Sequence, residues 1–518
     1  MSGPSHRRVL MIALDAAEST LIDRWTSDGT MPHLQRLRER GTFGFMASTA
    51  DWLAGTPWPS FYTGTLPPEH GFLFHLQWRP DLMQHARPGP DWLPMEPFYR
   101  RLGDQGRRVI AVDVPLTYAV TPDDRFNGVE VTCWSTHDKI APPTAHPPGT
   151  MKWINRSFGR EPIVIESPGT LPARRLLRMR DELVRSADRQ ARLCEALMAT
   201  ESWDFFLVAI GACHRAGHKL WSRTSIRGEV SPAEAPVYDR ALRDVYVACD
   251  DAVGRLVRRA GEGVTVLVCS MHGMRENSSR FDLTPTMLGR ILGGKTGGEP
   301  RSTHRLLQPL RRALPVELRT SIKSRLPESI QDSLSRFWRP HDKHDWSRTP
   351  AFCLMGDLQA LVHINLKGRE RDGIVEPGAE YEQLLAEIEA GLLTFVDADT
   401  GERLIKRIGR GNELYPEATR RRVQPDLILD WNDSPAYRHR AITSPRYGTI
   451  DWPEPGHPLD GRSGHHVPIG WLVATGEHIA PGSSIEGAHS HDLNATIHAL
   501  LEVPRPAEMR GRPLRVLC

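Results

Sequence analysis

The stretch Arg8-Val9-Leu10-Met11-Ile12-Ala13-Leu14-Asp15 decides the reading of this chain: six apolar residues run unbroken from Val9 to Leu14 and stop on a carboxylate. A run without polar alternation suits a strand covered on both faces, as in a parallel sheet flanked by helices. The next residues, 16–25, have helical spacing, with Ala17, Leu21, Ile22 and Trp25 available for one face. In open α/β sheets ligands bind outside the carboxyl ends of the strands. Asp15 stands at such an end, where it is either a metal ligand or catalytic carboxylate, or simply the N-cap of the helix that follows.

Outward from this stretch, apolar runs of the same kind recur at 108–115, 203–211, 263–270, 360–366, 426–431 and 470–476. Helical patterns separate them at 97–102, 173–200, 237–260, 381–393 and 492–501. In 173–200 the stripe Leu176, Met179, Leu183, Ala187, Ala191, Cys194 and Met198 repeats every three or four residues. This alternation predicts a doubly wound α/β core. Three stretches stand apart. Residues 48–71 are rich in Pro, Gly and Trp, and Pro57 and Pro59 limit helix there to 60–64, closed by Gly64. Residues 116–171 are proline-rich and read as an excursion over the active face. Residues 301–348 carry eleven Lys and Arg against five Asp and Glu, with Leu and Ile at helical spacing, and read as a helical basic insertion.

A chain of 518 residues with 39% hydrophobic and 25% charged residues can bury an ordinary globular core. A net charge of +3 on this size does not point to nucleic acid. No stretch approaches the ~20 apolar residues that cross a bilayer, and Asp15 interrupts the N-terminal run before it resembles a signal peptide. Seven scattered cysteines without a CxxC pair fit a reducing compartment. These features predict a cytoplasmic protein with no membrane or nucleic-acid partner; nothing in them fixes the oligomeric state.

The chemistry gathers at strand ends. Asp15, His214 with His218, and His272 each follow an apolar run, and His466 precedes one. Histidines at i and i+4 share a helix face and clamp one ion, so the set reads as a divalent-metal site. His214-x-x-x-His218 differs from the zinc-protease HExxH in having Arg215 where the general-base Glu belongs, which disfavours a metalloprotease. Thr56 is the candidate hydroxyl nucleophile, metal-coordinated and metal-activated, with Ser60 and Thr63 as rivals; each equally suits a role in capping or lining the short helix.

The segments VLMIALDAAE, TPWPSFYTGTLPPEHG, HRAGHKLW, CSMHGM, PDLILDW and SGHHVPIGWLVATG, in this order, resemble the type I phosphodiesterase/nucleotide pyrophosphatase branch of the alkaline phosphatase superfamily. The resemblance implies an alkaline-phosphatase-like three-layer α/β sandwich spanning 5–518, with a central, mainly parallel sheet, helices on both faces, and insertions such as 280–348 forming a cap. It implies two divalent ions, usually zinc, and cleavage of a phosphodiester, pyrophosphate or related phosphoester of a small substrate through a phosphoenzyme; this chain's departures from the family leave one ion or two, with manganese as the alternative metal. Carried over by position, Asp15, His218, His272 and His466 match family ligands, with His465 one residue off. His214 and Met271 replace family carboxylates, and a count back from Thr63-Gly64 puts Ala54 at the family threonine unless a loop shift brings in Thr56. Losing two carboxylates weakens a site for two cations. The alternatives are a sulfatase or phosphomonoesterase on the same fold, or an impaired pseudoenzyme that binds a phosphorylated ligand.

Overall fold

Alternation along the first strand explains why its sequence shows none. Strand β1 (Arg8–Leu14) sends Leu10, Ile12 and Leu14 into one apolar cluster and Val9, Met11 and Ala13 into another, and all six are fully buried. The structure, a computed structural model, describes residues 7–89, 92–93, 95–118, 126–136, 140–160, 169–294, 345–415, 424–435, 438 and 440–518.

Nine strands, numbered along the chain, form the central sheet: β1, β2 (Thr42–Ala47), β5 (Val109–Val112), β6 (Gly128–Thr132), β7 (Thr144–His146), β8 (Phe205–Ile210), β9 (Val264–Ser270), β19 (Gly470–Thr475) and β20 (Ser484–His489). Their order is β20-β2-β19-β9-β1-β8-β5-β6-β7. The pairings β9-β1-β8-β5-β6 and β2-β20 are parallel; β19 runs antiparallel to both neighbours, as does β7 to β6. Helices Ala173–Thr200, Ala212–Leu220 and Ala241–Ala260 cover one face, and helices Pro57–Thr63 and Asp492–Leu500 the other. Truncating a fully buried residue such as Ile12 to Ala in such a core costs about 2–5 kcal/mol. Among the described residues no helix is long and apolar enough to cross a membrane.

The cap side is built from smaller pieces. Strands β3 (Gln77–Arg79) and β4 (Gln84–Ala86) form a hairpin, and β10 (Gly273–Glu276) pairs with β18 (Gly464–Val467). A separate antiparallel sheet has the order β11 (Ala351–Leu354), β12 (Ala360–Ile364), β15 (Leu427–Trp431), β14 (Ile405–Arg410). A three-stranded sheet joins β13 (Val396–Asp397), β16 (Ala441–Ser444) and β17 (Gly448–Asp451).

Several expectations shift. The runs 360–366 and 426–431, read as core strands, belong to the inserted sheet as β12 and β15. Their apolar runs, broken by His363 in β12 and Asp430 in β15, have the same cause as in β1, since both faces are covered: Val362, Leu427 and Leu429 pack on Leu385 and Ile388, and Leu361 and Ile428 on Trp78 and Phe352. Helix Pro57–Thr63 starts at the first proline rather than after both, because Pro57 and Pro59 occupy its first turn, where no N–H is needed. The helix read over 237–260 breaks at Arg240. The excursion 116–171 contributes β6 and β7 to the central sheet. Most of the basic insertion, 295–344, lies outside the described residues.

Candidate metal centre and its cavity

Strands β9, β1 and β8 are parallel neighbours, so their carboxyl ends fall on one edge of the sheet. Asp15 follows β1, and its N–H donates to the carbonyl of Ile210 at the end of β8. Ala16, next along, takes φ +52°, a left-handed conformation rare outside glycine and often found at functional sites. After β8 the chain turns at Gly211 into helix Ala212–Leu220, which carries His214 and His218 one turn apart. His272 lies two residues beyond β9 and leads into β10, whose Met274 pairs with His466 of β18. A close approach seats β18 on the helix: a Cβ on Gly464 would stand 2.2 Å from the carbonyl oxygen of Gly217.

Four imidazoles converge here. The His466 ring lies 4.6 Å from His214, 4.9 Å from His218 and 4.6 Å from His272, centroid to centroid. Two groups suited to a divalent metal result, His214–His272–His466 and His218–Asp357–His466, each with ligand atoms within 4.8 Å of one another. Hydrogen-bond partners assign two tautomers. His214 Nδ1 faces the Asp15 carboxylate at 2.9 Å and His218 Nδ1 faces the Gly464 carbonyl at 3.0 Å, so both Nδ1 atoms donate. Their Nε2 atoms then carry lone pairs, and these face each other at 3.0 Å. Two opposed lone pairs at that distance suit a shared cation. Burial, reinforced by His466, holds His218 well below the ordinary imidazole range, so its lone pair is available.

Asp357 follows β11 of the inserted sheet. Burial works to raise its carboxyl, but the Arg462 guanidinium, with His466 and His218, holds it far below the usual carboxylate range. Arg462 NH1 donates to its Oδ1 at 2.5 Å, and its Oδ2 stands 3.4 Å from His466 Nε2. A cavity of about 400 Å³ opens on the cluster, walled by Asp15, Ala54, Gly55, Trp58, His75, Lys219, Asp357 and Arg462 among others.

The structure thus brings Asp15, His214, His218, His272 and His466 together. Asp15 is not the N-cap of the helix that follows. Its Oδ1 accepts from Trp58 Nε1 at 2.8 Å and its Oδ2 from His214, while the following helix is capped by Glu18. Thr56 is not brought to the site. It is fully buried, its Oγ1 donates to the Leu53 carbonyl at 2.7 Å and contacts Thr49 Oγ1 at 2.8 Å, and the wall is made by Ala54 and Gly55 instead. Ser60 and Thr63 are likewise turned inward, Ser60 to His70 and Thr63 to the Pro59 carbonyl. Met271 packs in the core. His465 points away from His466, as alternate strand residues do, and its Nε2 accepts from Arg275 at 2.7 Å. The residue that sequence reasoning missed is Asp357. Its loop has neither a strand-end nor a helical-spacing signal, and only the folding of the inserted sheet onto the core delivers it.

A family model described as type I phosphodiesterase / nucleotide pyrophosphatase matches residues 9–440. No protein with a curated description matches the chain. Among solved structures, the chain is similar to phosphonoacetate hydrolase from Sinorhizobium meliloti 1021 in complex with phosphonoacetate, with 13% identity, 96% of each chain covered and a TM-score of 0.50. It is also similar to a variant of the alkaline phosphatase PafA, with 13% identity, 99% of each chain covered and a TM-score of 0.52. At such identity the likeness is one of fold.

Proposed function

The chain belongs to the type I phosphodiesterase/nucleotide pyrophosphatase family and is a hydrolase of that kind, and from that premise we propose that it cleaves a phosphodiester, pyrophosphate or related phosphoester of a small substrate, with water rather than a side-chain hydroxyl as the nucleophile. One observation carries the reading. The histidine cluster opens on a cavity whose described lining contains no serine, threonine, tyrosine or cysteine. A bound divalent ion supplies Lewis acidity there, polarising a phosphoryl oxygen and easing the ionisation of water. The chain's own residues supply the rest. Lys219, whose Nζ donates to the carbonyls of Gly169 and Asp460, brings positive charge to the wall, suited to phosphate oxygens, Arg462 holds the Asp357 carboxylate, and His214, His218, His272 and His466 present nitrogen ligands. A nitrogen-rich donor set favours zinc over manganese. The reading assigns the protein to the cytoplasm, in keeping with seven free cysteines, five of them buried.

The test compares bis(p-nitrophenyl) phosphate, p-nitrophenyl phosphate and p-nitrophenyl sulfate after chelation and refilling with zinc or manganese. Zinc-restored cleavage of the diester is expected, and Thr56→Ala should retain it within about threefold, against the ~10⁴-fold or greater losses that follow removal of a true nucleophile. Abolition of turnover in metal-loaded Thr56→Ala would restore the hydroxyl route. Preference for the sulfate ester would make the protein a sulfatase. Silence on all three esters with metal bound would replace hydrolysis by ligand binding.

A further inference from the structure

His466 is common to both candidate metal groups, and that sharing limits how many ions the site can hold. A neutral imidazole has one lone pair, so His466 completes one group or the other but not both at once. The opposed Nε2 atoms of His214 and His218 point to the same conclusion. At 3.0 Å apart, they can ligate one cation together.

Asp15 is hydrogen-bonded through both of its oxygens. Its two oxygens accept from Trp58 Nε1 and His214 Nδ1, at 2.8 and 2.9 Å, and the second of these bonds is what turns the His214 lone pair toward the cluster. A carboxylate on the far nitrogen of a ligating histidine fixes its tautomer and strengthens it as a donor. With an aspartate at position 214, no such N–H would exist and Asp15 would face another carboxylate. The histidine there therefore changes the work of Asp15 as well as its own. Met271, packed in the core, offers no replacement. Asp357 does. It reaches the cluster from the inserted sheet with Oδ2 toward His466 while Arg462 holds Oδ1.

We propose that this chain builds a mononuclear, nitrogen-rich centre on His214, His272 and His466, in which Asp15 is a positioning residue acting through His214 and Asp357 is a carboxylate from the inserted sheet acting through His466. The proposal rests on the metal-dependent reading above only in requiring a metal. The donor set selects zinc or cobalt over manganese or magnesium.

The experiment reads metal rather than turnover. Chelator-treated protein is titrated with zinc against a chromophoric chelator, and wild type should take up one tight equivalent. Asp15→Asn should keep that equivalent with affinity weaker by about 10–100-fold, the range for lost outer partners. Asp357→Asn should weaken it as well, and His466→Ala should leave no tight site. Two tight equivalents in wild type, or an Asp15→Asn variant that binds as tightly as wild type, would overturn the proposal. A measurement on wild type alone guards against misfolded variants: cobalt-loaded protein should show an uncoupled paramagnetic resonance signal that saturates at one equivalent, whereas a spin-coupled pair would refute the single centre. One ion without turnover would sink the hydrolase reading alone. Two ions with turnover would sink this inference alone.

Discussion

Ala54 and Gly55 form the cavity wall, while two residues on Thr56 turns its hydroxyl back to the Leu53 carbonyl. Bringing Thr56 out to a phosphorus atom would break that bond and the contact with Thr49, each worth about 1 kcal/mol, and would unseat the start of helix Pro57–Thr63. Ala54 needs no such motion. An Ala54→Thr variant places a hydroxyl on the wall itself, so acid-quenched turnover of bis(p-nitrophenyl) phosphate, with one p-nitrophenol expelled, should give a chain heavier by one p-nitrophenyl phosphoryl group, detected by intact mass, where wild type gives none. A wild-type chain carrying that group would defeat the water route. What the sequence made legible at this scale were residues tied to strand ends: Asp15, His214, His218 and His272 follow β1, β8 and β9, and the fold brings those ends together. Asp357 was illegible because its place depends on a sheet more than three hundred residues away from β1 in the chain docking over that edge. The pairing of Asp15 with His214 was illegible too, since only the fold brings the two side chains within 2.9 Å.

The histidine cluster is held together by the packing of the β10–β18 pair on helix Ala212–Leu220, and glycines set the spacing. Gly464 lies against the Gly217 carbonyl, and the Gly464 carbonyl in turn accepts from His218. Gly464→Ala forces β18 away from the helix, because a Cβ at 2.2 Å from a backbone oxygen has no rotamer to escape into. Overpacking of this kind costs roughly 1–3 kcal/mol. Urea unfolding of metal-free protein should show a loss of that size, and zinc affinity should fall with it because His466 rides on the same strand. Unchanged zinc affinity in a destabilised Gly464→Ala variant would show that the cluster tolerates the shift. Element identity was well read from sequence: helix Ala173–Thr200 begins and ends where its stripe does. Element membership was not. An apolar run reports that both faces of a strand are covered, and β12 and β15 are covered by the cap as fully as β1 is by the core.

At the scale of the whole molecule, several described histidines are buried in neutral form, and this shapes its response to acid. Burial lowers His70 to about 3, and burial with Arg275 lowers His465 to about 3; burial with His491 lowers His489 to about 4. Each folded value lies below the ordinary 6.5, so the unfolded chain takes up protons first on acidification. Their contribution is therefore fully present above pH 6.5, falls as pH drops, and levels off near the folded values. The carboxyls of Asp357 and Asp426 act in a lower window. Burial opposes their ionisation, but Arg462 for the first, and His363 with Arg369 for the second, hold them far below the usual range, so their stabilisation is lost only as pH falls below about 4. His70 isolates the upper window, being wholly buried, a member of neither candidate metal group, and bonded through Nε2 to Ser60 and through Nδ1 to the Phe72 N–H. Between pH 7 and pH 5 it alone should remove about 2 kcal/mol of stability. His70→Gln keeps a donor and an acceptor there without the titration. In urea unfolding of metal-free protein, where ion release cannot contribute, the variant should lose about 2 kcal/mol less than wild type over that interval. Equal losses in the two proteins would mean that His70 takes up its proton in the folded state as readily as in the unfolded one.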